Sequence, residues 1–218
     1  MTVYNILKYP HVLLRKKSTP VETFSEDLKT FTQGMIDTMY AYEGIGLAAP
    51  QVGILKRIMV LDVSPYFENE DAADWHGSIE YYVDDTKLED LTYPWVLVNP
   101  EIVKTEESII FPFDGCLSFP GVDSQNTQRH KKIELHAFTP DQKKVKIIAD
   151  GIASICLQHE MDHLEGVLFI DQTQEKNLTD KDIRSDVAEF EKQTTWRKKQ
   201  KKLKPVDARK TNWEFGVK

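Results

Sequence analysis

Only two cysteines, Cys116 and Cys156, occur in 218 residues. So few cannot build a disulfide framework, and in a chain whose start does not read as an export signal they are expected to be thiols in a reducing compartment. Long hydrophobic runs are also missing. The longest are strand-sized pieces such as IMVLDV, far short of the roughly 20 apolar residues that cross a bilayer, so no membrane partner is expected. The opening MTVYNILKYPHVLLRKK is too interrupted by polar residues for a signal-peptide core and lacks the Arg/Ser bias of a transit segment. Internal repeats are absent, and GIG at 44–46 is not extended into the GxGxxG pattern of a nucleotide loop. The expectation is a cytoplasmic protein of bacterial type, with an organellar form left open.

The charge is unevenly spread. Residues 196–218 hold nine Lys/Arg, six of them in RKKQKKLK, against Asp207 and Glu214, a local balance of +7. The chain as a whole carries −7, which leaves −14 for residues 1–195. A basic appendage on an acidic body suits contact with a polyanion or a solvated helix face.

Apolar residues at Leu28, Phe31, Met35 and Met39 follow helical spacing after Ser25, a residue type that caps helices, and predict a helix over 25–42 stopping near Gly44. Stretches 57–63, 94–104, 107–111, 131–138 and 143–149 are rich in β-branched residues and predict short strands. A second helix is expected over 151–165, closed by Gly166, and a last one over about 179–201. Between Ser64 and Tyr93 the sequence is acidic and weakly patterned, as in a long surface loop or insertion. Strands before, between and after helices, without regular β-α alternation, indicate an α+β domain of antiparallel strands packed around a central helix.

That central helix carries QHEMDHLEG, residues 158–166. His159 and His163, four apart, lie on one helix face, where a single ion can bridge them. A catalytic zinc-type site usually takes a third protein ligand and leaves the fourth position to water. Cys156 shares the stripe but stands seven residues from His163, roughly 10 Å along the axis at 1.5 Å per residue, too far to join it on one ion. Ile152, Ile155, Cys156 and His159 instead form an apolar stripe leading to the metal. Cys116, in FDGCLSFPG, is a loop donor that could be aimed at the helix. Asp182, Asp186 and Glu189 fall where HExxH peptidases often place a third ligand. Spacing alone leaves these alternatives open, and with them the reading of a zinc endopeptidase. His11, His76, His130 and His136 are expected to be surface or strand residues.

Three motifs, GIGLAAPQ at 44–51, DGCLS at 114–118 and QHEMDH at 158–163, resemble in kind and order the signatures of peptide deformylases. The similarity runs on through ILKYPHVLLRKKSTPV, LVNPEI and HLEGVLFID, covering roughly residues 4–173. It implies a catalytic domain over 1–173, carrying the 64–93 insertion, and a C-terminal helix and basic tail over 174–218. It implies ligation of one divalent metal ion by Cys116, His159 and His163. By the same resemblance that ion is expected to be Fe²⁺ in the cell, with Zn²⁺, Ni²⁺ or Co²⁺ on isolation. Glu160 would move the proton, and the Gln51 amide and Leu117 N–H would meet the charge on the formyl oxygen. Gly44, Ile45, Gly46, Ile152, Ile155 and Cys156 would form the substrate pocket, receiving a methionine side chain. The implied substrate is the N-formylmethionyl end of nascent peptides, cleaved to formate, with no DNA contact and with the basic tail available to the ribosome. A non-catalytic relative is disfavoured because all of these residues are present.

One departure stands out. The second motif normally begins with glutamate, and here it begins with Asp114, whose shorter reach towards Arg129 is in question. The stretch around Asp123 also replaces a region that is basic in some relatives.

Overall fold

The computed structural model describes residues 1–122, 125–173, 179–193, 199 and 201–215. The expectations for Asp123 and for part of the basic run, including Arg197 and Lys198, lie outside the described residues.

Helix α1 (Glu26–Ala41) buries Leu28, Phe31, Met35 and Met39, the stripe read from the sequence. Ser25 occupies its N-cap, yet no side-chain cap bond forms and its Oγ is buried without a partner among the described residues. The acids Glu26 and Asp27 in the first turn face the positive end of the helix dipole instead. The chain then forms β1 (Gly46–Ala48), β2 (Ile58–Leu61), α2 (Ser64–Phe67), β3 (Ile79–Val83) and β4 (Thr86–Lys87). Next come β5 (Trp95–Asp114), β6 (Gln125–Phe138) and β7 (Lys144–Asp150), then α3 (Gly151–Glu165), α4 (Phe169–Gln172) and α5 (Asp180–Lys192).

The seven strands among the described residues join one antiparallel sheet in the order β1-β2-β5-β6-β7-β3-β4. Three expectations are corrected here. The strands expected at 94–104 and 107–111 are one strand, β5, because the polar residues between them stay exposed while their backbone continues to pair with β6 through register shifts. The 64–93 stretch is not a plain loop: it supplies α2 and the pair β3–β4, and β3 docks on β7 from Ile79↔Ala149 to Val83↔Val145. Its sequence hid this because the strands are short and mostly half-exposed. The helix expected over about 179–201 is interrupted: α5 ends at Lys192 with Gln193 as its C-cap, and residues 199 and 201–203 are helical again, 194–198 and 200 lying outside the described residues.

Helix α3 lies against this sheet and buries twelve of its fifteen residues. Gly166 ends it in the left-handed conformation at φ 74°, as its glycine suggested. One apolar cluster fills the space between α3 and the sheet with Leu97, Leu135, Ile147, Ile152, Ile155 and Leu164. A second lies between α1 and the outer strands, and the C-terminal tail completes it. Trp213 and Phe215 are buried against Phe31, with ring centroids 5.1 and 5.2 Å away, and Trp213 Nε1 donates to the Ala208 carbonyl at 2.9 Å. A tail read from its charges as an appendage is therefore part of the core.

Phe215→Ala is accordingly expected to cost about 3–5 kcal/mol, the range for a fully buried aromatic. Urea unfolding measures it, and an unchanged midpoint would return the tail to a detached extension.

Candidate metal centre

The turn after β5 carries Cys116, and α3 carries His159 and His163. One ligand atom from each of these three residues lies within 4.8 Å of the others, and no fourth His, Cys or acid joins them among the described residues. Cys116 Sγ stands 3.2 Å from His163 Nε2. His163 is buried, and that burial, followed by the charge of His159, keeps its pKa well below the usual range, so the imidazole stays neutral and free to ligate. Cys156 is turned away towards the Ile45 carbonyl at 3.8 Å. The peptidase alternative fails on position: Asp182 caps α5 by bonding Thr179, and Glu189 pairs with Lys192 on the same helix.

His159 is oriented from behind. Its Nδ1 meets Asp114 Oδ1 at 2.7 Å, while Asp114 Oδ2 accepts from Arg129 Nη2 at 2.5 Å, Arg129 Nε at 3.0 Å and Thr127 Oγ1 at 2.9 Å. Arg129 Nη1 continues to Asp162 at 2.6 Å. The reach of Asp114 is thus sufficient. Burial alone would raise its carboxyl pKa, but His159 and Arg129 overcome this and hold it well below the carboxylate range. For His159 burial opposes the charge, and Asp114 prevails and raises its pKa well above normal.

Glu160, one residue on, is buried, and its Oε2 has no partner among the described residues. Burial pushes its pKa up to about 7, against the downward pull of the His159 charge and the Ala48 N–H. Strand β1 passes so close that a Cβ at Gly46 would collide with Glu160 Oε1 and come within 2.9 Å of Cys156 Sγ, so this glycine makes room for the acid. Gln51 is held by its Oε1, which accepts from Ala48 N at 2.7 Å, leaving Nε2 facing Ser118 Oγ at 3.3 Å and Cys116 Sγ at 3.6 Å.

Gly44, Ile45, Gly46, Ile152, Ile155 and Cys156 line one cavity of about 280 Å³ together with Gln51, Cys116, Leu117, His159 and Glu160. Sequence reasoning did not single out Tyr66, Phe111 or Phe113, which line it too. It also missed Lys8, half-buried, whose ammonium donates to the Leu117 carbonyl at 2.6 Å and whose pKa is lowered by desolvation to about 8. Alternation along β5 would have pointed Phe111 and Phe113 to one face, but no motif marks Lys8.

The residues fit a metal. A thiolate and two imidazoles are a borderline-soft set suited to Zn²⁺ or Fe²⁺, and an unpartnered buried carboxylate oxygen sits beside them.

The sequence profile of the Polypeptide deformylase family matches residues 3–179. The chain is 37% identical over 172 residues to the peptide deformylase of Thermodesulfovibrio yellowstonii, an alignment covering 79% of this chain and 90% of that protein. With the peptide deformylase of Novosphingobium aromaticivorans identity is 40%, covering 78% and 89%. The crystal structure of a peptide deformylase from Legionella pneumophila superposes with a TM-score of 0.69 at 34% identity, covering 87% of this chain and 96% of that one.

Replacing Asp114 by Asn removes the charge that fixes the ring of His159. Metal dissociation should become about 10- to 100-fold easier, the usual cost of losing a partner behind a ligand. A stability signature accompanies it. Because the folded pKa of Asp114 is depressed, its stabilisation is fully present above the unfolded carboxylate value, about 4, and is lost as pH falls towards the folded one. The melting temperatures of wild type and Asp114→Asn should differ at pH 7 and converge below about pH 4; a constant gap would contradict the assignment.

Proposed function

The chain belongs to the peptide deformylase family, and we propose how its own residues perform that family's reaction. It is a hydrolase that removes the formyl group from the N-formylmethionine of nascent polypeptides and releases formate. The observation that carries the residue assignment is the convergence of Cys116, His159 and His163 beside the unpartnered carboxylate of Glu160.

Cys116, His159 and His163 would hold one divalent ion, Fe²⁺ in the cell and replaceable by Zn²⁺, Ni²⁺ or Co²⁺, which would supply Lewis acidity to the formyl carbonyl and to a water. Every other task falls to the chain. Strand β1 is the terminal strand of the sheet, so its free edge pairs with the extended backbone of the peptide. The methionine side chain enters the apolar stripe of Ile152, Ile155 and Cys156 and displaces bulk water from that pocket, leaving the attacking water at the formyl carbon. Glu160 takes a proton from the attacking water and delivers it to the departing amine as the C–N bond breaks, and a carboxyl near neutrality suits both transfers. Gln51 Nε2, aimed by the Ala48 clamp on its other end, and the Leu117 N–H donate to the formyl oxygen as it gains charge.

Residues 1–173 form the catalytic unit, working in the cytoplasm, and the segment after it completes the second core cluster. Exposed Lys201, Lys202 and Lys204 offer a contact to ribosomal RNA that acts through counterion release.

Protein purified without oxygen is expected to release formate from formyl-Met-Ala-Ser. Glu160→Ala should abolish turnover with the ion retained; metal loss in step with activity would contradict the proton-transfer role. Cys116→Ala should lose the ion and Cys156→Ala keep it, and equal loss would refute the ligand choice. Burial places the Glu160 carboxyl at about 7, so turnover should decline as pH falls below neutrality, when the acceptor becomes protonated. For the ribosome contact, triple replacement of Lys201, Lys202 and Lys204 by Gln should reduce co-sedimentation at low salt without changing turnover of a short peptide. Deleting the tail is no substitute, since that would also remove Trp213 and Phe215 from the core.

A further inference from the structure

The 64–93 segment has no part in the chemistry above, yet its first turn reaches the substrate cavity. Tyr66, on α2, lines that cavity with Ile152, Ile155 and Cys156 and packs against their core cluster. Burial and then the neighbouring Cys156 raise the pKa of its phenol, so the ring stays uncharged at working pH. Further along the segment, Trp75 meets Phe111 edge-on with centroids 4.9 Å apart, and Phe111 is itself a wall of the cavity. The segment is clasped to the start of the metal-bearing helix. Asp150, its N-cap, accepts from Ser78 N at 2.5 Å and Ser78 Oγ at 2.8 Å, and its own N–H donates to the Ser78 carbonyl at 3.0 Å. Beyond Ser78, β3 zips onto β7, the strand that runs directly into α3. Two independent attachments therefore hold the segment to the element that carries Ile152 and Ile155.

We infer that residues 64–83 form an outer wall of the first-residue pocket and that Tyr66 is a specificity-determining residue, setting how wide a side chain the pocket admits. The substrate class is a formyl peptide whose first side chain is slender and unbranched, such as a thioether. An aromatic first residue would need the space the Tyr66 ring occupies. Size exclusion of this kind needs a wall that does not yield, and the Asp150–Ser78 clasp and the β3–β7 ladder supply the backing. The inference rests on the deformylase reading of the site.

The test compares kcat/KM for formyl-Met-Ala-Ser and formyl-Phe-Ala-Ser on metal-loaded wild type, Tyr66→Phe, Tyr66→Leu and Tyr66→Ala. Wild type should favour the methionyl peptide. Tyr66→Ala should raise the phenylalanyl-to-methionyl ratio about tenfold or more, the scale on which apolar pockets discriminate by size. The change should appear mainly as a lower KM for the phenylalanyl peptide, with metal content unaltered because no ligand lies on this segment. Tyr66→Leu, which keeps an apolar side chain should the alanine variant fail to fold, should shift the ratio in the same direction, and Tyr66→Phe, which keeps the ring, should restore discrimination. A ratio unmoved by both the leucine and alanine variants, or a wild type that cleaves the two peptides equally well, overturns the inference. Absence of formate from both peptides with wild type would instead overturn the deformylase reading.

Discussion

The carboxylate of Asp114 is the joint on which the site depends. It belongs to the end of β5, while its partners Thr127 and Arg129 stand on β6 and His159 on α3. Two consecutive strands and a helix further along the chain are thus referred to one buried group. Burying such charges is costly, and ion pairs of this kind contribute little net stability compared with apolar packing. Their value here is positional: with both oxygens committed, the acid fixes the angle of the His159 ring and the height of the turn that presents Cys116. The same group shapes the electrostatic pattern around the site: its charge raises the pKa of His159 against the effect of burial, while burial and then the His159 charge lower that of His163.

Apolar packing holds this arrangement in place. Helix α3 is buried on almost every side, so neither histidine can shift without disturbing the cluster of Leu97, Leu135 and Ile147 beneath it. Strand β1 is fixed on one side by its ladder with β2 and lies against α3 at Gly46, where no side chain larger than hydrogen fits. The cavity is therefore formed by two rigid elements meeting closely, a suitable basis for hydrogen-bond donors that must already be in position when charge develops on the substrate. At the far side of α1, aromatic residues from the C-terminus close the second cluster, so the ends of the chain contribute to the body that holds the site.

Much of this was legible in the sequence where a single period or residue type carried the information. Helices α1 and α3 followed from apolar spacing, and the end of α3 from Gly166. The pair His159 and His163 declared itself, but their third companion did not, because Cys116 approaches through the fold and not through spacing; resemblance named it, and the geometry brings its sulfur to His163. The length of β5 was hidden by its solvent-facing acids, since a period-two reading breaks where both faces are wet. The short strands of the 64–93 segment were lost for the same reason. The tail misled by its charge: lysines dominate the composition, while Trp213 and Phe215, only two residues, determine where it lies. Lys8 and Tyr66 could not have been found, as nothing local marks a lysine that bonds a distant carbonyl or a tyrosine that lines a distant helix.

The central claim is that one thiolate and two imidazoles hold a single divalent ion beside Glu160. X-ray absorption at the metal edge of protein loaded with one equivalent of Co²⁺ tests it most directly. The account predicts a first coordination shell containing one sulfur, from Cys116, alongside nitrogen and oxygen neighbours, with the sulfur contribution lost in Cys116→Ser. A shell of nitrogen and oxygen alone in the unaltered protein would contradict it.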